Sequence, residues 1–313
     1  MEGAAAQRAG ASRAYLAFIV AACVVPAALI GAALVGYDYY KRERARIVRD
    51  TTATARALGA AVDMELGGVK AALFALSTSP LLAAGDYAGF HAQASAALKN
   101  QNFDSVVLLD ASGQQLLNTL RPYGAALPAT ANPAALRDLV ETRQPVITDL
   151  FTGLTAQRPL VAVWAPVVLE GRVRYALNAG VSAERVYSIL REQHLPPAWV
   201  GGIFDREGTV VARTHESARF VGQKGAPELV RRIKDGAREG ALETVTLEGI
   251  PVLTVFSRSP VSGWTVALGI PEHLLVTELW YSMARLLLVT VLTLGIALGL
   301  ALVLSGRLAR PIR

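Results

Sequence analysis

The residues able to ligate a metal or attack a substrate are thinly spread through this chain. The four histidines, His91, His194, His215 and His273, form no i, i+4 pair, and the single cysteine, Cys23, lies inside an apolar run. A zinc site needs several such ligands close together, so no metal centre is expected. No G-x-S-x-G nucleophile elbow and no G-x-x-x-x-G-K-[ST] phosphate loop occurs, so the chain shows no catalytic site and implies no cofactor. What remains is binding chemistry. Asn118, Arg121, Tyr123, Asp149, Trp164, Tyr175 and Asn178 fall near the ends of expected strands, and aromatic walls with one cation and one anion suit a small organic anion or zwitterion. The plainer reading makes Trp164 and Tyr175, on facing hairpin strands, simple core residues and leaves Arg121 solvated in a proline-rich loop. Arg213 and Arg219 are read as structural, paired with Asp205 or Glu216.

The elements that position these groups come in two copies. Phe103 to Arg121 holds an apolar run, D-x-x-G (Asp110 to Gly113), a second apolar run and Thr119; Val200 to Thr214 repeats this with Asp205 to Gly208 and Thr214. Asp opens such a turn by bonding its own backbone, and Gly takes the positive φ that closes it. Downstream, PLVAVWAPV from Pro159 matches PVLTVFSRS from Pro251, and Gly180 to Ser182 matches Gly269 to Pro271. The pattern predicts a tandem fold.

A helix follows Asp86, a loop spans Pro122 to Pro133, and a short helix runs from Ala134 to Thr142. An edge strand covers Val146 to Leu150, and a hairpin pairs Pro159–Val168 with Arg172–Val181 across Glu170 and Gly171. Ser182 is placed to cap a helix from Ala183 to Gln193. The second copy adds strands at Trp199–Asp205, Thr209–Arg213, Leu242–Leu247, Pro251–Ser257 and Trp264–Ile270, with a short helix from Pro227. Ahead of both, Leu58, Val62, Leu66, Val69, Leu73 and Leu76 draw one helical stripe that ends before Pro80, with Gly67 and Gly68 allowing a bend. That stripe fits either a dimer seam or a helix lying on its own domain.

With 313 residues, 52% hydrophobic and 18% charged, the chain is more apolar than soluble domains usually are. The runs Ala14–Tyr37 and Leu286–Gly306 carry no charge and are each long enough to cross the ~30 Å hydrocarbon layer. A signal peptide, with Arg8 and Arg13 as its basic region and small residues near Ala33, is the alternative for the first run, whose apolar stretch is longer than such a peptide needs. Lys41, Arg42, Arg44, Arg46 and Arg49 outnumber Arg8 and Arg13, but long domains escape the positive-inside rule, so Arg307, Arg310 and Arg313 decide. Both termini are expected in the cytoplasm, with residues 38–285 on the other side of the membrane. One cysteine permits no disulfide framework. The net charge of +6 is scattered, without a basic-aromatic stripe, so no nucleic-acid partner is expected. Gly295 and Gly299 give G-x-x-x-G in the second run, which allows close packing in a homodimer.

On DASGQQLLNTLRPYG (Asp110–Gly124), FDREGTVVART (Phe204–Thr214), RFVGQ (Arg219–Gln223) and SGWTVALGIP (Ser262–Pro271), the chain resembles the double-Cache sensor regions of bacterial histidine kinases, most of all the HWE type. Similar regions occur on diguanylate cyclases and chemoreceptors. The resemblance implies an α+β fold of two tandem PAS-like modules with antiparallel sheets, braced by a long N-terminal helix between two transmembrane helices. It divides the chain into a cytoplasmic N-terminus (1–13), a first span (14–37), a long helix (38–79), a membrane-distal module (80–193), a membrane-proximal module (194–271), a helix with the second span (272–306) and the start of a HAMP-like linker (307–313). The amino-acid-binding pattern of that family, D-x-x-x-x-R with Trp, Tyr and Asp, does not thread through the distal module. The implied function is a receptor segment that senses a small extracytoplasmic molecule and signals to a histidine kinase. A membrane-anchored binding or scaffold protein is the reading from another class.

Overall fold

The computed structural model describes residues 2–274, 284, 285, 287–293, 295, 296 and 299, with backbone only for 2–25, 27–29, 32 and 100. Residues 48–271 form one compact unit, and 1–47 with 272–313 form another. Among the described residues no helix is long and apolar enough to cross a membrane. Most side chains of the first expected span and most of the second span and the HAMP-like end lie outside the described residues.

Helix α1 runs from Glu2 to Ser77. Within the 48–271 unit its six stripe residues, Leu58 to Leu76, are all buried in one core with strands of both sheets. The stripe therefore lies on the chain's own domain. Asp63 accepts from the Ser259 hydroxyl at 2.6 Å and Arg56 holds Glu239 through two bonds of 2.9 and 2.8 Å, fastening α1 to the second sheet.

The first module opens with α2 (Pro80–Ala84) and α3 (Tyr87–Ala97), the latter capped by the Asp86 carboxylate accepting from the Gly89 N–H. Strands β1 (Ser105–Asp110) and β2 (Gln115–Asn118), helix α4 (Pro133–Thr142), β3 (Val146–Ile147), β4 (Phe151–Thr152), β5 (Pro159–Leu169) and β6 (Arg172–Ser182) complete it. The sheet order is β2-β1-β6-β5-β3, with β4 also on β5, and every pairing is antiparallel. The expected edge strand Val146–Leu150 is shorter, ending at Ile147, and a second short strand begins beyond it at Phe151. The Thr148 N–H donates to the Ala162 carbonyl and the Thr148 hydroxyl accepts the Ala162 N–H, both at 2.9 Å, which satisfies that edge without a continuous ladder.

Helix α5 (Ala183–Glu192) leads to the second module. Ser182 stands at its N-cap, but its hydroxyl makes no capping bond; instead its N–H donates to Asp104, which also takes Arg185. Burial pushes the Asp104 carboxyl up, but these bonds outweigh it and hold it below the usual carboxylate range.

The second module comprises β7 (Val200–Phe204), β8 (Val210–Arg213), α6 (Ser217–Phe220), α7 (Pro227–Lys234), β9 (Glu239–Val245), β10 (Pro251–Arg258) and β11 (Thr265–Pro271). Its order, β8-β7-β11-β10-β9, repeats that of the first sheet. The two D-x-x-G turns agree atom for atom. Asp110 and Asp205 each accept two following N–H groups through Oδ1, and Gly113 and Gly208 take φ of 90° and 74°. The Thr119 and Thr214 hydroxyls each accept the N–H of the second residue of the neighbouring strand, from Val106 at 2.9 Å and Gly201 at 3.0 Å. The architecture is thus the expected α+β arrangement of two PAS-like antiparallel sheets on a long N-terminal helix.

Candidate functional site

Side chains alternate across a strand, so each sheet of the unit has two unlike faces. In the first module Val106, Leu108, Val163 and Leu177 join the α1 core, whereas Val107, Leu109, Ala162, Trp164 and Ala176 pack with Leu136 and Leu139 of α4. Beside that second cluster a cavity of about 50 Å³ opens between the sheet, the loop after β2 and the segment 151–156. Its walls combine apolar groups with the polar side chains of Ser105, Gln115, Asn118, Thr130, Thr155, Trp164 and Asn178.

Two of these groups stand out. The Trp164 indole N–H and the Thr155 hydroxyl are buried and have no hydrogen-bond partner. A buried donor left unmade costs about 1–3 kcal/mol, and native proteins leave few of them. Two orphan donors on the wall of one cavity form a place for an acceptor oxygen. Asn118 is already engaged, with Nδ2 donating to Gln115 and Oδ1 accepting from the Leu120 N–H, both at 3.0 Å. Gly180 keeps this wall open, since a Cβ there would lie 2.7 Å from the Ser105 hydroxyl.

Of the seven residues picked from the sequence, Asn118, Trp164 and Asn178 line this cavity, and Trp164 and Asn178 are direct cross-strand partners. The other four stand elsewhere. Tyr175, expected as a second wall beside Trp164, projects from the opposite face into the α1 core, where its hydroxyl bonds that of Tyr87 at 2.9 Å. The reason is a bulge between Val167 and Val168. A hairpin closed on Leu169 and Arg172 without it would put Tyr175 opposite Pro166, on the Trp164 face; the extra residue puts it opposite Val167. Arg121 and Tyr123 are exposed in the loop beyond the cavity, and the Arg121 carbonyl bonds His91. Asp149 is held by Arg206 of the second module at 2.9 Å.

The residues that sequence reasoning missed are Ser105, Gln115, Thr130 and Thr155. Ser105 shares the face of Val107, the cross-strand partner of Asn118, and follows from parity once Asn118 is accepted; Gln115, an odd step from Asn118, reaches that face only through the bulge between Leu108 and Leu109. Thr155 lies in an aperiodic loop and carries no sequence signal.

In the second module, Arg213 does not pair with Asp205. Its guanidinium, 4% exposed, takes both oxygens of Glu248, donates to the His215 carbonyl and lies over the Phe220 ring at 4.5 Å. Bonding to Arg213 lowers the Glu248 carboxyl to about 2. Arg219 pairs with Glu216 as expected. Burial pushes the Asp205 carboxyl up, and its Oδ2 accepts the Leu150 N–H from the first module. A much larger cavity, about 1020 Å³, is a groove between α1 and one edge of the second module, where Arg56–Glu239 and Asp63–Ser259 are already paired. Among the described residues no cluster of acidic, cysteine or histidine side chains is arranged to hold a metal.

No protein-family model and no curated protein matches this chain. Solved structures do. The extracellular domain of rpHK1S-Z16, assigned as a histidine kinase, aligns over 71% of this chain and 93% of its own with TM-score 0.58 and 16% identity. The ligand-binding domain of Mlp24 with asparagine aligns over 77% and 98% with TM-score 0.57 and 17% identity. The ligand-binding domain of the Pseudomonas fluorescens chemoreceptor CtaA in complex with L-isoleucine aligns over 76% and 98% with TM-score 0.56 and 11% identity. The chain has the fold of extracellular ligand-binding sensor domains of the double-Cache type, two PAS-like modules carried by one long helix.

Proposed function

We propose that this chain is the sensory segment of a membrane receptor that takes a small organic ligand in the cavity of its first module. The observation that carries this reading is the pair of unpartnered donors, Trp164 Nε1 and Thr155 Oγ1, on the wall of that cavity. No charged side chain lines it, so the site recognises a carboxylate or carbonyl oxygen through neutral donors. An organic anion or zwitterion of few atoms is the favoured class, with Arg121 one residue beyond Leu120, which lines the site. The solved relatives named for asparagine and L-isoleucine support the size class.

In this reading residues 14–37 and 286–306 span the membrane, 80–193 form the distal module and 194–271 the proximal one, and 307–313 begin a HAMP-like linker. Support for a lipid environment comes from the flanking segments, where Ile30, Leu34, Leu288, Val289, Leu292 and Ile296 are more than half exposed; burying such side chains stabilises by about 1.5–3 kcal/mol each. Homodimerisation, a histidine-kinase output of the HWE type and transmission through the helix that follows Glu272 belong to the same proposal. The solved chemoreceptor domain in complex with L-isoleucine favours one alternative output, that of a chemoreceptor.

The test is a thermal-shift screen of the purified full chain against organic acids, amino acids and amines. Trp164→Phe keeps an aromatic ring, smaller than the indole, and removes the donor. A saturating ligand whose affinity falls at least tenfold in Trp164→Phe, with the melting temperature of the ligand-free chain little changed, is the expected result; undiminished binding by that variant would refute the site.

A further inference from the structure

The second module contains a cavity at the place that the first module uses. Superposing the repeats by their turns and paired strands matches Asn118 with Arg213, Asn178 with Ala267, and Gly180 with Gly269, and all six line their respective cavities. Both cavities have a volume of about 50 Å³. Their chemistry differs. The first is lined by several neutral polar groups; the second has apolar walls, buried threonines and one cation, the Arg213 guanidinium. That cation sits where the first cavity presents an amide, and its fork is filled by a carboxylate of the same chain. Glu248 reaches it from the β9–β10 turn, between Thr246 and Gly249, the latter at φ 89°. On either side of this turn Val245 and Ile250 are 50% and 43% exposed. The carboxylate is therefore delivered by a hairpin tip, while the guanidinium is built into the sheet.

We propose that the second module holds a carboxylate-binding site of its own, in which Arg213 is the receptor and Glu248 the resident occupant. The ligand class is a short aliphatic monocarboxylate: one head that takes the guanidinium bidentately, and a tail of a few carbons against the Phe204, Leu229 and Val252 side of the cavity. Binding of such an anion displaces Glu248 and frees the β9–β10 tip. The site is independent of the ligand pocket proposed for the first module.

The experiment uses the purified full chain and sodium propionate as the probe, with sodium chloride matched for ionic strength. In Glu248→Ala, propionate should raise the melting temperature saturably, with an apparent dissociation constant at least tenfold lower than in the unaltered chain. Adding Arg213→Met should abolish the response. Glu248→Gln, which fills the same volume without the charge, gives the second reading if the alanine variant folds poorly, and it too should respond more strongly than the unaltered chain. Absence of a saturable response in both Glu248 variants, a response equal to that of the unaltered chain, or a response that survives Arg213→Met would each overturn the proposal. Because Arg213 belongs to the second sheet alone, failure here leaves the Trp164 test of the first module standing, and the reverse holds equally.

Discussion

The two modules share a strand order, a turn, a pair of threonine bonds and the position of a cavity, and they differ in how the cavity's polar groups are satisfied. In the first, Trp164 and Thr155 are left without partners. In the second, the one charge on the cavity wall, Arg213, is closed off by Glu248. The same backbone thus supports an unsatisfied pocket and a self-satisfied one, and the choice rests on side chains at matched positions, above all Asn118 against Arg213. An unsatisfied pocket gives up stability that a ligand can restore, whereas a self-satisfied one takes its stability from its own chain.

Several measurements sharpen this contrast, beginning with the largest effect. Arg213→Met should cost about 3 kcal/mol in denaturant unfolding, because it leaves Glu248 without its partner beside a buried site. The same variant alters acid sensitivity. The folded Glu248 carboxyl, at about 2, lies below its ordinary 4.5, so its stabilisation is complete above about pH 4.5 and is lost as pH falls towards 2; that limb should flatten in Arg213→Met. Equal loss on replacing Asn118 with Ala would erase the distinction between the modules. Next, Thr119→Val and Thr214→Val should each cost about 1–2 kcal/mol, since each leaves one buried N–H unbonded; a large disparity between them would break the equivalence of the turns. The smallest change is expected from Arg206→Ala, about 0.5 kcal/mol or less, because its pair with Asp149 is partly exposed.

Much of this was legible in the residues themselves. Two D-x-x-G turns with a following threonine determined the strand pairs, and the stripe from Leu58 to Leu76 located the face that α1 buries. Helix starts followed from Asp86 and from the proline at 227, and the helix expected from Ala134 begins one residue earlier, at Pro133. Three features were not legible, each for a physical reason. The bulge at Val167 and Val168 has no residue signature, and it moved Tyr175 to the other face. Asp149 was claimed by Arg206, a partner 57 residues away that local pattern cannot foresee. Glu248 reached Arg213 from a turn whose composition shows only that it is a turn. Registers and non-local ion pairs are settled by tertiary packing, and the candidate site was correspondingly less visible than the fold that holds it.

The buried stripe of α1 has one more consequence. It contributes to a single core that includes Phe90 and Leu108 from one module and Trp264 and Val266 from the other, while the backbone N–H of Leu150 and the carboxylate of Asp205 join the modules directly. Repeats in tandem invite the thought that they can be shuffled between proteins as interchangeable cassettes. Here they cannot: a grafted second module would have to present its own matching side to residues 55–66, and a transplanted first module would leave Asp205 buried without the Leu150 amide. The structural unit is the pair of modules together with its helix.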